Sequence, residues 1–126
     1  MNMANKHLAK LQQVSSLMAD HALAPVVLAT SEVRRIEKRI ANIANHRAKL
    51  ANSIEDPSIA GAMLDQAERL RIQQAAALSE LANAHVRLET VRKAASKTVG
   101  QNQALTALVD KKRADVKLES RRRLLR

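Results

Sequence analysis

The side chains that could do chemistry in this sequence are few and stand apart. The four histidines, His7, His21, His46 and His85, pair neither with one another nor with an acid at metal-ligand spacing. Cysteine is absent, which removes disulfides, thiolate metal sites and cysteine nucleophiles together and points to a reducing, intracellular setting. Gly61 and Gly100 are isolated, so no glycine-rich phosphate loop exists. The carboxylates are scattered, and a thin helical protein offers no enclosed pocket in which their pKa values could be tuned. The expectation is a protein with no catalytic residue, metal site, cofactor or small-molecule substrate, one that works by binding other proteins.

The elements that would carry such binding follow from composition and spacing. The chain has 126 residues and a hydrophobic fraction of 46%, yet no aromatic residue at all. Its apolar set is mostly Ala and Leu, which suits a thin, extended seam better than a compact core. Met1 to Leu17 holds no apolar stretch resembling a signal peptide, and nowhere do about 18 apolar residues run together, so a soluble, unprocessed protein is expected.

From Val33 onward, Val33, Ile36, Ile40, Ile43, Arg47, Leu50 and Ile54 recur at spacings of three and four, the mark of a coiled-coil seam. Upstream, Leu8, Leu11, Ser15, Met18, Ala22 and Val26 continue it with two successive steps of four, a phase shift that locally unwinds a supercoil. Pro25 falls at the same place and removes one backbone hydrogen bond, so a kink or short break is expected at 21–25. Helix one is expected over about 5–53, with the turn at about 54–58. Asp56 suits a cap and Pro57 a first helical position. Helix two, expected over about 59–122, carries Met63, Ala67, Leu70, Gln74, Leu78, Leu81, His85, Leu88, Val91, Ala95, Val99, Asn102, Leu105 and Val109 at the same spacing. Asp65 with Arg69, Glu89 with Lys93, and Glu119 with Arg123 place an acid four residues before a base. The seam polars Arg47, Gln74 and Asn102 are read as register-setting residues.

Two seams joined by a short connection meet only by folding back. The expected fold is therefore all-α: a single domain over 1–126, forming a long two-helix antiparallel coiled-coil hairpin with a C-terminal helical overhang. A turn at 55–57 would make the numbers of facing residues add to roughly 112, leaving some fifteen residues of overhang, about 22 Å at the helical rise.

Charge marks the ends of this hairpin. The net charge is +10, and residues 110–126 hold eight basic and three acidic side chains. A second basic stretch contains Arg34, Arg35, Lys38, Arg39, Arg47 and Lys49. In the tail, Val116, Leu118, Leu124 and Leu125 are interleaved with Lys111, Lys112, Arg113, Lys117, Arg121, Arg122, Arg123 and Arg126, a pattern that suits docking to a partner. Nucleic acid is disfavoured as that partner, because no aromatic is available to stack on bases and no known DNA-binding motif occurs. A lipid surface is weakened by the lack of Trp or Phe anchors.

The run Leu64-Asp65-Gln66-Ala67-Glu68-Arg69-Leu70-Arg71, the run Leu88-Glu89-Thr90-Val91-Arg92-Lys93-Ala94-Ala95 and the basic end from Lys111-Lys112-Arg113 to Arg121-Arg122-Arg123 make the chain resemble the flagellar and type III secretion stalk proteins, the FliJ-like family. That resemblance implies a fold similar to the coiled-coil rotor subunit of rotary ATPases. It also implies a place in the centre of a hexameric export ATPase, with contacts to the export gate and export chaperones. Carried onto this sequence, Leu8 and Leu11 with Arg113, Arg121, Arg122, Arg123, Leu124 and Leu125 would enter the ring. The turn region from Ile54 to Ile59, with Arg34, Arg35 and Arg39, would be left for the gate or chaperones. The implied location is cytoplasmic, at the inner face of the membrane through those partners. The alternatives are a generic coiled-coil adaptor or oligomerisation protein, and a basic nucleic-acid or membrane-surface binder.

Overall fold

In the computed structural model, which describes residues 3–53 and 57–126, the chain forms α1 (Met3–Asn52) and α2 (Ala60–Leu124), and no strand occurs among the described residues. The two helices pack against each other as a helical hairpin. Their contacts group into two units. One comprises Val27–Thr90, and the other comprises Met1–Val26 with Val91–Arg126.

The Val27–Thr90 unit holds the bulky part of the core. Val33, Ile36 and Ile43 of α1 and Leu70, Ala77, Ala84 and Leu88 of α2 are all buried, and Ile36 is only 1% exposed. Ile43, Leu70 and Ala77 form a cluster on which Ile40 and Leu50 pack. Each Ile or Leu so buried contributes roughly 1.5–3 kcal/mol, so a handful of positions supplies most of the cohesion. Arg39 bonds to Glu80 and Arg47 to Gln74, which makes the pairing antiparallel with facing numbers adding to 119 and 121.

That register corrects the expected sum of about 112. Asn52 lies opposite a residue near 68, so the first two turns of α2, Ala60–Ala67, run past the end of α1. The connection is lopsided. At its near side the Ser53 N–H donates to the Leu50 carbonyl (3.1 Å) and the Ser53 hydroxyl to the Lys49 carbonyl (2.6 Å). At its far side Pro57–Ile59 form turns, and α2 opens with Met63 N–H donating to the Ile59 carbonyl (3.0 Å). Pro57 is therefore outside the helix that it was expected to start. Ile54, Glu55 and Asp56, and with them part of the expected 54–58 turn and the Asp56 cap, lie outside the described residues.

Two further expectations change in this unit. Leu78 is 50% exposed and His85 is exposed, whereas Ala77 and Ala84, each one residue earlier, are the buried positions. The three-four alternation that passes through Leu70 and Gln74 lands on 77, 81, 84 and 88. In the observed register it sets Ala77 near Ile43 and Ala84 near Ile36, the large-against-small pairing that close packing demands.

The unit formed by Met1–Val26 with Val91–Arg126 keeps the spacing but fills it differently. Gln12 Nε2 donates to Thr106 Oγ1 (3.5 Å) and Ser16 Oγ to Asn102 Oδ1 (3.3 Å), and both pairs add to 118. Its buried apolar residues are Ala19, Ala95 and Val109. Leu11 and Met18, expected in the seam, are each 58% exposed, and their places are taken by Gln12 and Ala19. With that correction the alternation runs 8, 12, 15, 19, 22, 26 with no added step, so the expected phase shift disappears.

Pro25 causes no break, since α1 is helical without interruption from Met3 to Asn52. Proline leaves the carbonyl four residues earlier without its usual donor. Here both His21 and Pro25 are exposed, so water can reach the His21 carbonyl. At the other end of this unit, Met3 lies opposite residue 115 by the same register. Val116–Leu124 therefore extend past it for nine residues, about 13 Å at the helical rise and shorter than expected.

Candidate functional site

The feature with the most distinct chemistry lies in the second of these units, where the first turns of α1 meet the C-terminal part of α2. Asn5, Lys6, Leu8 and Ala9 from α1 and Val109, Lys112, Arg113, Val116 and Lys117 from α2 line a groove of about 420 Å³. The α2 residues follow from helical periodicity: 109, 112, 113, 116 and 117 share one face. Val109 is buried and Leu8 half-buried at its base, while Val116 stays 46% exposed. Four cations stand around this apolar floor, and no carboxylate is among the lining residues. Asp115 and Glu119 instead line an adjoining, more open depression with Leu108 and Lys111, which shares Lys112 and Val116 with the groove. Every residue from Asp110 to Arg126 is exposed.

The residues singled out by sequence are distributed around this groove unequally. Leu8 and Arg113 line it. Arg121, Arg122 and Arg123 form the last turn of α2, where cations complement the negative end of the helix dipole, and Leu124 and Leu125 beyond them are 86% and 88% exposed. Leu11 points away from the seam. Lys6, Val109, Lys112, Val116 and Lys117 join the site through a register that spacing alone does not fix.

Arg34, Arg35 and Arg39 lie in the other unit. Arg39, the nearest to the turn, is still thirteen residues before Asn52, about 20 Å along the helix. Arg35 forms a fork with Glu32 (2.7 and 3.1 Å), and Arg39 reaches Glu80 (3.0 Å). The Arg35 hydrogen bonds hold the Glu32 carboxyl below its ordinary value, and Glu32 in turn raises Arg35. The same relation links Glu68 and Arg71 (2.6 Å), again through hydrogen bonding first. Among the described residues these i,i+3 pairs are the ones that close within a helix, in place of the expected Asp65–Arg69, Glu89–Lys93 and Glu119–Arg123 pairs. Nearer the turn, His46, Lys49, Leu50, Ser53, Met63, Gln66 and Leu70 line a more open depression of about 270 Å³.

A second surface was not apparent from the seam. Between Lys10 and Glu32 the only charged residue of α1 is Asp20. Leu11, Val14, Leu17, Met18 and Leu23 are between 46% and 63% exposed, and Val27 and Leu28, in the other unit, are exposed as well. By length and composition alone α1 contains an 18-residue stretch apolar enough to cross a membrane, and only 6% of that stretch is buried. Among the described residues no group of three or more His, Asp or Glu side chains is placed to hold a metal ion. Comparison with protein families, with curated proteins and with solved structures returns no match to this chain.

Proposed function

We propose that this chain is a non-enzymatic stalk of a flagellar or type III export apparatus, docking into the export ATPase hexamer. The observation that carries the reading is the end of the hairpin where α2 runs past the first described residue of α1. There Lys117, Arg121, Arg122 and Arg123 share the helical segment with the exposed Val116, Leu118 and Leu124, and no residue after Val109 is buried. A two-helix hairpin is narrow, about two helix diameters across, which suits insertion into a ring, and a basic end is steered towards acidic loops. The Val27–Thr90 unit, with Arg34 and the ion-paired Arg35 and Arg39, is left for the export gate or export chaperones. Such a protein works in the cytoplasm at the inner face of the membrane, held there by its partners.

Capture from the native cell tests this, using the full chain and a form truncated after Val109. The truncation removes no buried residue and leaves the seam intact up to Val109. The full chain should recover a hexameric ATPase and the truncated form should not. Recovery of no ATPase by the full chain sinks the stalk reading, and equal recovery by both sinks the role of the tail. A second reading, a coiled-coil adaptor or homo-oligomer, is favoured by the exposed Leu11, Val14, Leu17 and Met18 of α1. Sedimentation of the full chain as a stable dimer at micromolar concentration would support it.

A further inference from the structure

We propose that the groove between the start of α1 and the C-terminal part of α2 binds an acidic amphipathic α-helix of a partner protein, taking its apolar side chains on the floor and its carboxylates on the rim. The inference rests on the basic end being the working end of the molecule, and it does not depend on which protein supplies the helix.

Three observations lead to this occupant. The floor is made by Leu8, Val109 and Val116, so it rewards buried aliphatic side chains and gives nothing to a phosphate or a sugar. The rim is cationic through Lys6, Lys112, Arg113 and Lys117 and its lining holds no carboxylate, Asp115 and Glu119 lining the adjoining depression that shares Lys112 and Val116, so carboxylates are the matching charge. The α2 positions 109, 112 and 116 continue the three-four spacing of the seam. Past residue 115, in the observed register, no described residue of α1 stands opposite. A helix laid there packs on α2 as α1 does further along, which is the helix-in-groove mode of recognition.

The other occupants fit less well. A second copy of this chain would have to offer an acidic amphipathic face, but its exposed apolar stretch between Lys10 and Glu32 carries Asp20 as its only charge. A membrane is met by a convex, anchor-bearing face and not by a recess between two helices, and the chain has no aromatic anchor.

The test uses the full chain and a fluorescent synthetic helix of about three heptads with Leu at the seam positions and Glu beside them. Controls are the same peptide with Gln for Glu, the same peptide with Ser for Leu, a poly-glutamate coil, and phosphatidylglycerol vesicles. The Leu/Glu peptide should bind, and each peptide control should bind about tenfold more weakly or not at all. Lys112→Glu with Lys117→Glu should weaken it by about tenfold, as should Val116→Asp, all at exposed positions. Circular dichroism verifies helicity, and Lys112→Gln with Lys117→Gln serves as a milder pair should charge reversal unfold the end.

No binding of the Leu/Glu peptide overturns the proposal. So does equal binding of poly-glutamate or the Ser peptide, which would show charge attraction alone, and so does a preference for vesicles. Insensitivity to Val116→Asp would remove the groove from the interaction. ATPase capture without peptide binding rejects the groove and leaves the stalk reading standing, and peptide binding without ATPase capture does the reverse.

Discussion

The two units of this hairpin share one spacing and differ in what occupies it. In Val27–Thr90 the seam is Val33, Ile36, Ile43, Leu70 and Leu88 packed with Ala77 and Ala84. In the unit of Met1–Val26 with Val91–Arg126 it is Gln12, Ser16, Ala19, Asn102 and Thr106 around a few small or half-buried apolar residues. A neutral side-chain hydrogen bond nets about 1 kcal/mol, against roughly 1.5–3 kcal/mol for each buried Ile or Leu. The difference teaches that coiled-coil periodicity sets where helices touch, while residue size at those positions sets how firmly. In the weaker unit the large apolar residues Leu11, Val14, Leu17 and Met18 are on the outside, where they are available to a partner.

The largest effect should come from the strong unit. Ile36→Ala should cost about 2–5 kcal/mol in urea unfolding followed by circular dichroism, because the buried side chain leaves a cavity beside Ala84. Gln12→Ala, at a seam position of the other unit, should cost under about 1 kcal/mol. Equal costs would erase the contrast.

Pro25→Ala should be next, raising stability by about 1–3 kcal/mol as the missing backbone donor is restored in a continuous helix. Amide exchange should slow around residues 21–25. No change in either would show that the His21 carbonyl is already well satisfied.

Replacing the polar pair Ser16 and Asn102 together by Leu should raise the midpoint of unfolding by the equivalent of about 1–2 kcal/mol and loosen control of register. A loss of stability would mean that this pair is worth more than its half-buried, 3.3 Å geometry indicates.

The smallest effect should follow pH. Glu32 and Glu68, both in the strong unit, are held below their ordinary value of 4.5 by Arg35 and Arg71. The folded state therefore binds fewer protons than the unfolded one as they titrate. Their contribution is present above pH 4.5 and is lost as pH falls below it through the lowered folded values. Both pairs are solvent-exposed, so the acid-side loss should be slight and should shrink in salt. Glu32→Gln with Glu68→Gln should flatten it.

Much of the fold was legible in the sequence, for identifiable reasons. Val33, Ile36, Ile40, Ile43 and Leu50 are large, β-branched or leucine, and regularly spaced, so periodicity and hydrophobicity agreed there. They diverged at Leu11, Met18, Leu78 and His85, where a larger residue sits one position away from the seam and the smaller Gln12, Ala19, Ala77 or Ala84 occupies it. Carrying the alternation backward from Val33 in strict steps of four and three would have found 29, 26, 22, 19, 15, 12 and 8. The register was not legible, because it depends on a connection that lets Ala60–Ala67 run past Asn52. The groove depends on that register. Leu8 could be named from spacing and Arg113 from the basic run, but their meeting with Lys6, Val109 and Val116 could not.

Hydrogen exchange of the full chain, resolved along both helices by mass spectrometry, tests the contrast between the units most directly. Amides of Val33–Leu50 and Leu70–Leu88 should be the most protected. Those of residues 3–22 and 98–124 should exchange faster by orders of magnitude, as expected for segments that open without global unfolding. Uniform protection along both helices, or slower exchange at 3–22 and 98–124, would contradict a hairpin held mainly by the Ile- and Leu-rich unit.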